Sequence, residues 1–174
     1  SYIDPIATLT YEPGSTMKIF SYMCAVDSGK YDGNTTYTSG SKTYKSEVDG
    51  KETTISDWKK EGWGNITYDQ GFALSSNIAV ANIVESVITK EELKSCYAKY
   101  GFGVKTGFTM NREEAGSIDY KYQIEAATAG YGQGITTTPL QHLQALTIIS
   151  NNGTMLKPYI IDKIVDTDTG KTLY

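Results

Sequence analysis

Apolar positions recur with helical spacing in several stretches of the chain, and polar, glycine-rich segments separate them. Met17, Phe20 and Cys24, flanked by Ile19, Met23 and Val26, return every three to four residues and stop at Gly29, which predicts a helix opened by Pro13 and Gly14. Thr67-Tyr68-Asp69-Gln70 has capping-box spacing and predicts a short helix through Phe72 and Leu74. From Asn77 to Val87 almost every face is apolar, through Ile78, Ala81, Ile83, Val84 and Val87, so this helix belongs in the core. Thr89-Lys90-Glu91-Glu92 repeats the capping box and predicts a helix to Tyr100, ended by Gly101. A short helix is expected over 121–129, and Thr138-Pro139-Leu140-Gln141 combines N-cap, first-turn proline and capping glutamine at the start of a helix that stops at Asn151-Asn152-Gly153.

Strand patterning is weaker. Residues 30–56 are rich in Gly, Ser, Thr and Tyr, and Val48-Asp49-Gly50-Lys51 reads as the turn of a surface hairpin. Residues 57–66 form a compact loop in which Trp58 and Trp63 are expected to plug the domain edge, with sugar stacking as the other role open to them. Residues 108–120 read as loop. Tyr159 to Val165 reads as a strand, with Asp168-Thr169-Gly170 turning into a second. The expectation is one mostly helical domain with hairpins at its margins.

Composition narrows the function. At 174 residues the chain can bury one sizeable core, and a net charge of -4 with both signs interspersed offers no basic stripe for nucleic acid. No apolar run approaches the roughly 20 residues that cross a bilayer, so the chain as given is expected to be soluble. Cys24 and Cys96 both fall on helical patterns, where a buried free thiol is the commoner explanation than a disulfide. His142 has no Cys, His or carboxylate at ligand spacing, which argues against a metal site. Gly101-Phe102-Gly103-Val104-Lys105-Thr106-Gly107 follows a helix rather than a strand, which argues against a phosphate cradle. No cofactor is expected.

The candidate chemistry sits at the first helix. Ser15 lies where unpaired backbone N–H groups and the positive end of the helix dipole favour an oxygen that is gaining charge. Lys18, three residues on, shares its face; partial desolvation would disfavour its charged form and let the amine take the serine proton. Serine–lysine pairs at this spacing are cheap, and Ser39 with Lys42 and Ser56 with Lys59 are two more. Neither opens a long apolar helix, and Ser56 is read as an N-cap. Ser75-Ser76-Asn77 interrupts the apolar pattern between two helices; Ser76 or Asn77 can cap the second, and polar groups left over must find partners or face a cleft.

Taken in order, these segments resemble the transpeptidase domain of penicillin-binding proteins, most closely the monofunctional class B type. Tyr11-Glu12-Pro13-Gly14-Ser15-Thr16-Met17-Lys18 is similar to the nucleophile segment, and Ser75-Ser76-Asn77 to the second motif. Gly101-Phe102-Gly103 with Thr106-Gly107 resembles the glycine segment, and Gly132-Gln133-Gly134 with Thr138-Pro139-Leu140-Gln141 the stretch ahead of the third motif. The likeness runs from about residue 5 to about residue 160.

The resemblance implies the helical part of the β-lactamase/transpeptidase-like α/β fold, with an incomplete central antiparallel sheet, over a single partial domain, 1–174. It also implies a D,D-transpeptidase that crosslinks peptidoglycan stem peptides through a serine acyl-enzyme and is acylated by β-lactams. Ser15 would be the nucleophile, Lys18 its base and Ser75 a proton relay to the leaving nitrogen; Asn77 would hold a substrate amide, and Ser76 would point away. The parent would work on the extracytoplasmic face of a bacterial membrane, anchored through parts absent here, with cell-division or elongation proteins as further partners. A β-lactam sensor, a serine β-lactamase and a non-catalytic cell-wall scaffold are the competing readings.

The family's third motif, Lys-Thr-Gly on a cleft-lining strand, is matched in letters by Lys105-Thr106-Gly107. That segment lies ahead of the Thr138-Pro139-Leu140-Gln141 helix rather than beyond it, and Gly170-Lys171-Thr172 continues into leucine. The expectation is that the third motif lies past the end of this chain. Such a fragment would lack part of its oxyanion hole, a loss that typically costs about 100- to 1000-fold in rate.

Overall fold

The computed structural model describes residues 3–46, 48–108 and 112–173. Residues 109–111 of the expected 108–120 loop lie outside the described residues. The chain opens with the single turn α1 (Pro5–Thr8), capped by the Asp4 carboxylate, and a 3₁₀ turn (Gly14–Met17) that runs directly into α2 (Lys18–Asp27). Strands β1 (Thr36–Thr38), β2 (Ser41–Lys45), β3 (Glu52–Ser56) and β4 (Asn65–Thr67) follow, then α3 (Tyr68–Ala73), α4 (Asn77–Ser86), α5 (Lys90–Lys99), α6 (Gln123–Gly130) and α7 (Pro139–Ser150).

Capping signals place the helices well. Thr67, Thr89 and Thr138 each accept from the residue three positions on, whose Gln or Glu side chain accepts from the threonine N–H in return, as the capping boxes predict. Helix α4 is the centre of the core: Ile78, Ala79, Val80, Ala81, Ile83 and Val84 are all buried, against α2 on one side and α6 on the other. The α6 contact is close because Gly130 has no Cβ, which would otherwise meet a Val80 methyl 2.6 Å away. Ser21 ties three helices through one hydroxyl, with the Tyr97 phenol at 2.7 Å and the Gly130 carbonyl, to which it donates, at 2.5 Å.

The sheets are small. β2 and β3 form the expected hairpin, Ser41 opposite Ser56 through Lys45 opposite Glu52, and β1 pairs antiparallel with β4 in a second two-stranded sheet. The β1–β4 pair has no signature in the sequence because each strand has only three residues and the partners are joined by a long connection.

Four expectations fail. Cys24 and Cys96 are not free thiols but a disulfide that joins α2 to α5, with Cα atoms 5.9 Å apart and the two residues 72 positions apart in sequence. Periodicity shows that a cysteine faces inward but not what it faces. Ser56 is not a helix cap but the last residue of β3. Tyr159 to Val165 forms no strand; only Val165 bridges Thr172, across a turn in which the Asp166 carboxylate accepts from the N–H groups of Asp168 and Thr169. Its apolar residues lie exposed with no neighbouring strand among the described residues, and without a ladder partner a strand pattern has nothing to pair. Trp63 packs against the core as expected, but Trp58 is 72% exposed, its ring edge-on to Trp63 and its indole N–H given to the Leu74 carbonyl.

Candidate active site

The serine–lysine pair is built by the 3₁₀ turn. With three residues per turn, side chains at i and i+3 eclipse, so Ser15 and Lys18 stand in line, and the Lys18 N–H closes the turn on the Ser15 carbonyl. An α-helical first turn would have offset them. Ser15 is exposed, whereas Lys18 is only 4% exposed.

The turn is anchored to the 132–137 segment by backbone. Gly14 N–H donates to Gly132 O at 2.9 Å, Tyr11 and Thr137 exchange both of their hydrogen bonds at 3.0 Å, and the Glu12 carboxylate accepts from Gly134 N–H. Gly132 has φ +83°, and a Cβ there would overlap the Gly14 backbone, so two peptide units touch with no side chain between them. The Gly132-Gln133-Gly134 segment thus supports the turn that carries Ser15.

The second motif arrives from the loop between α3 and α4. Lys18 Nζ donates to the Ser75 carbonyl at 2.5 Å and to the Ser75 hydroxyl at 3.1 Å. Ser75 has φ +54°, a left-handed conformation that costs a non-glycine residue about 1–2 kcal/mol and turns its carbonyl and hydroxyl to the same ammonium. Ser76 is turned inward: it caps α4 at Ala79 N–H and donates to Asp57. Asn77 donates through Nδ2 to the Ser56 carbonyl at the end of β3, 2.8 Å away, which ties the second motif to the hairpin.

Burial lowers the Lys18 pKa to about 8, against an opposing pull from the Asp57 carboxylate. Asp57 is the site residue that sequence reasoning missed. It is 2% exposed and gathers three donors: Gly40 N–H at 2.9 Å, the Ser76 hydroxyl at 2.8 Å and Ile78 N–H at 3.1 Å. Its partners lie 17 to 21 residues away in sequence, beyond the reach of any local pattern.

The Ser39–Lys42 pair does not form a site. Ser39 is bonded to Gly64 and Trp63, and Lys42 pairs with Glu85 and Asn82. Lys105-Thr106-Gly107 lies outside the named strands, and the N–H groups of Thr106 and Gly107 are both taken by the Glu113 carboxylate, at 2.6 and 3.2 Å. Those donors are committed to an internal clamp, so this segment does not line a cleft as a third motif would.

The site therefore holds a solvent-exposed serine one 3₁₀ turn from a buried lysine with a lowered pKa, and a serine in the left-handed conformation bonded to that lysine. The chain belongs to the penicillin-binding protein transpeptidase domain family, whose family model matches residues 1–173. It is 34% identical over 169 residues to stage V sporulation protein D of Bacillus subtilis, covering 94% of this chain and 25% of that protein. To the peptidoglycan D,D-transpeptidase MrdA of Escherichia coli it is 26% identical over 163 residues, covering 87% of this chain and 25% of that protein. Penicillin binding protein 2X from Streptococcus thermophilus superposes with a TM-score of 0.81 at 33% identity, over 99% of this chain and 25% of that one. The apo TP domain of penicillin-binding protein 3 from Burkholderia pseudomallei gives 0.76 at 28% identity, over 89% and 46%. The chain spans about a quarter of the length of these two curated relatives. Its helix-rich body with small antiparallel sheets is the fold of these neighbours.

Proposed function

We propose that the protein containing this chain is a peptidoglycan D,D-transpeptidase that works through an acyl-enzyme on Ser15. The observation that carries this reading is the position of Lys18 Nζ, one 3₁₀ turn from Ser15 and bonded to both oxygens of Ser75. A neutral amine has two hydrogens and one lone pair. The two hydrogens satisfy the Ser75 carbonyl and hydroxyl, and the lone pair is left for the Ser15 proton.

Ser15 Oγ forms a bond to the carbonyl carbon of the penultimate D-alanine of a stem peptide as its proton passes to Lys18 Nζ. The C–N bond to the terminal D-alanine breaks, and the leaving nitrogen takes a proton from the Ser75 hydroxyl, which Lys18 replenishes. An amine on a neighbouring strand then bonds to the ester carbon, the C–O bond to Ser15 breaks, and the proton that the amine loses returns to Ser15 Oγ through Lys18. Asn77, with one amide N–H on Ser56, still has a second N–H and its carbonyl for a substrate amide. β-Lactams would acylate the same serine through their strained amide.

The outer face of a bacterial membrane is the proposed location, where this substrate lies. The Cys24–Cys96 disulfide supports it, because such bonds persist in oxidising compartments. No helix among the described residues is long and apolar enough to cross a membrane. Division or elongation proteins are the proposed partners in the cell. We also read residues 1–174 as part of one transpeptidase domain, since a single hydrophobic cluster unites its helices and hairpins.

The test is intact-mass and peptide mapping of the protein at its natural length after reaction with benzylpenicillin. One adduct on Ser15, absent from Ser15→Ala, is expected. An adduct on another serine, or none on a folded protein, removes the proposal, and an adduct that hydrolyses within seconds makes the protein a β-lactamase instead.

A further inference from the structure

The buried imidazole of His142, on the first turn of α7, touches the nucleophile turn without taking part in the chemistry just described. Its Nε2 lies 3.3 Å from the Thr16 hydroxyl, next in sequence to Ser15, and its Nδ1 lies 3.2 Å from the Thr137 hydroxyl. Thr137 is the residue whose backbone pairs with Tyr11 at the entrance to the turn. One ring therefore joins the two sides of the support under Ser15.

The hydrogen-bond network assigns the tautomer. Thr16 gives its single hydroxyl proton to the Pro13 carbonyl at 2.8 Å, so toward His142 it can only accept, and Nε2 must carry the hydrogen. Nδ1 is then a bare lone pair, and the Thr137 hydroxyl donates to it. Protonation would place a second hydrogen on Nδ1, against the hydroxyl that was donating there. The ring also meets the Thr138 carbonyl and the aromatic rings of Phe20, Phe102 and Tyr11. Among these contacts Tyr11 is the only other titratable group, and no carboxylate faces the ring to compensate a cation.

We infer that His142, as a neutral Nε2–H imidazole, is a positioning residue for the acyl transfer, fixing the Thr16 end of the nucleophile turn against Thr137. The inference rests on the acyl-enzyme reading of Ser15. Burial favours the same state, since it holds the imidazole below the ordinary histidine range against a smaller opposing effect of the Thr138 carbonyl. The consequence is a second acid limb. Acylation already falls as Lys18 takes up a proton below about 8, and it falls again where His142 does.

The experiment follows the second-order rate of acylation by benzylpenicillin against pH in the protein at its natural length, with His142→Gln and His142→Leu. In the unaltered protein the slope of log rate against pH is expected to steepen from one to two below the ordinary histidine range. Glutamine can donate and accept but does not titrate, so His142→Gln should keep the rate at the plateau within about 2-fold and never steepen. His142→Leu fills similar space with no hydrogen bonds and should lose about 10-fold at every pH where histidine is neutral. An unchanged rate in His142→Leu, or a second limb that persists in His142→Gln, overturns the inference. If His142→Leu fails to melt cooperatively, the glutamine profile decides alone. Failure of the parent reading looks different: no adduct forms on Ser15 in any of the three proteins.

Discussion

Lys18 Nζ is closer to the backbone carbonyl of Ser75 than to its hydroxyl, 2.5 Å against 3.1 Å. The lysine is thus oriented by main chain, and the main chain presents that carbonyl because Ser75 occupies a left-handed conformation.

Burial disfavours the ammonium form of Lys18 and lowers its pKa to about 8, so the neutral base becomes available as pH rises through that value. Acylation of Ser15 should rise about 10-fold per pH unit between the ordinary histidine range and 8 and level off above it, as measured by stopped-flow reaction with a chromogenic β-lactam. A rate already flat at neutral pH would remove Lys18 as the base.

Asp57→Asn should act on stability and on that profile together. An asparagine replaces one carboxylate oxygen by an N–H₂ group, which must face a donor among Gly40, Ser76 and Ile78. A loss of about 3 kcal/mol, read by denaturant melting, is expected for a buried, charge-assisted network. Because the Asp57 charge raises the Lys18 pKa, its removal should move the acylation midpoint below 8. A midpoint that moves upward contradicts the electrostatic link.

Gly132→Ala should silence a site in which Gly132 has no reactive group. The new methyl would overlap the Gly14 backbone, and at φ +83° it is also conformationally strained. Displacing the nucleophile turn by the order of an ångström should cost about 100-fold in acylation. Normal acylation in this variant would show that the contact does not locate Ser15.

Replacing both Cys24 and Cys96 by serine should destabilise without touching the chemistry directly. Closing a loop across 72 residues is worth about 4 kcal/mol in the chain-entropy view. A fall of about 10 °C in melting temperature is expected, matched by reduction of the unaltered protein. If melting is unchanged, the bond does not form in the folded protein.

The sequence announces what local physics controls. Thr67, Thr89 and Thr138 begin their helices where capping chemistry requires, and the apolar surface of Ile78 to Val84 is the core helix. Ser15, Lys18 and Ser75 are legible as candidates because helix onset and motif order single them out, and the structure brings Lys18 and Ser75 into contact. What joins distant segments is not legible. Cys24 finds Cys96, Asp57 finds Gly40 and Ser76, and β1 finds β4 through packing that no short window of residues records. The strand expected over 159–165 fails for the complementary reason, since its pattern is present and no partner strand lies beside it among the described residues.

The three-way junction at Ser21 bears on motion. With its hydroxyl shared between the Tyr97 phenol and the Gly130 carbonyl, and a covalent bond between Cys24 and Cys96 one turn further along, α2 cannot rotate or slide without carrying α5 and α6. Ser15, on the turn that leads into α2, therefore rides on a rigid block. The β2–β3 hairpin and the Trp58 loop lie outside this linkage, and their backbone amides should exchange with deuterated water faster than those of α2.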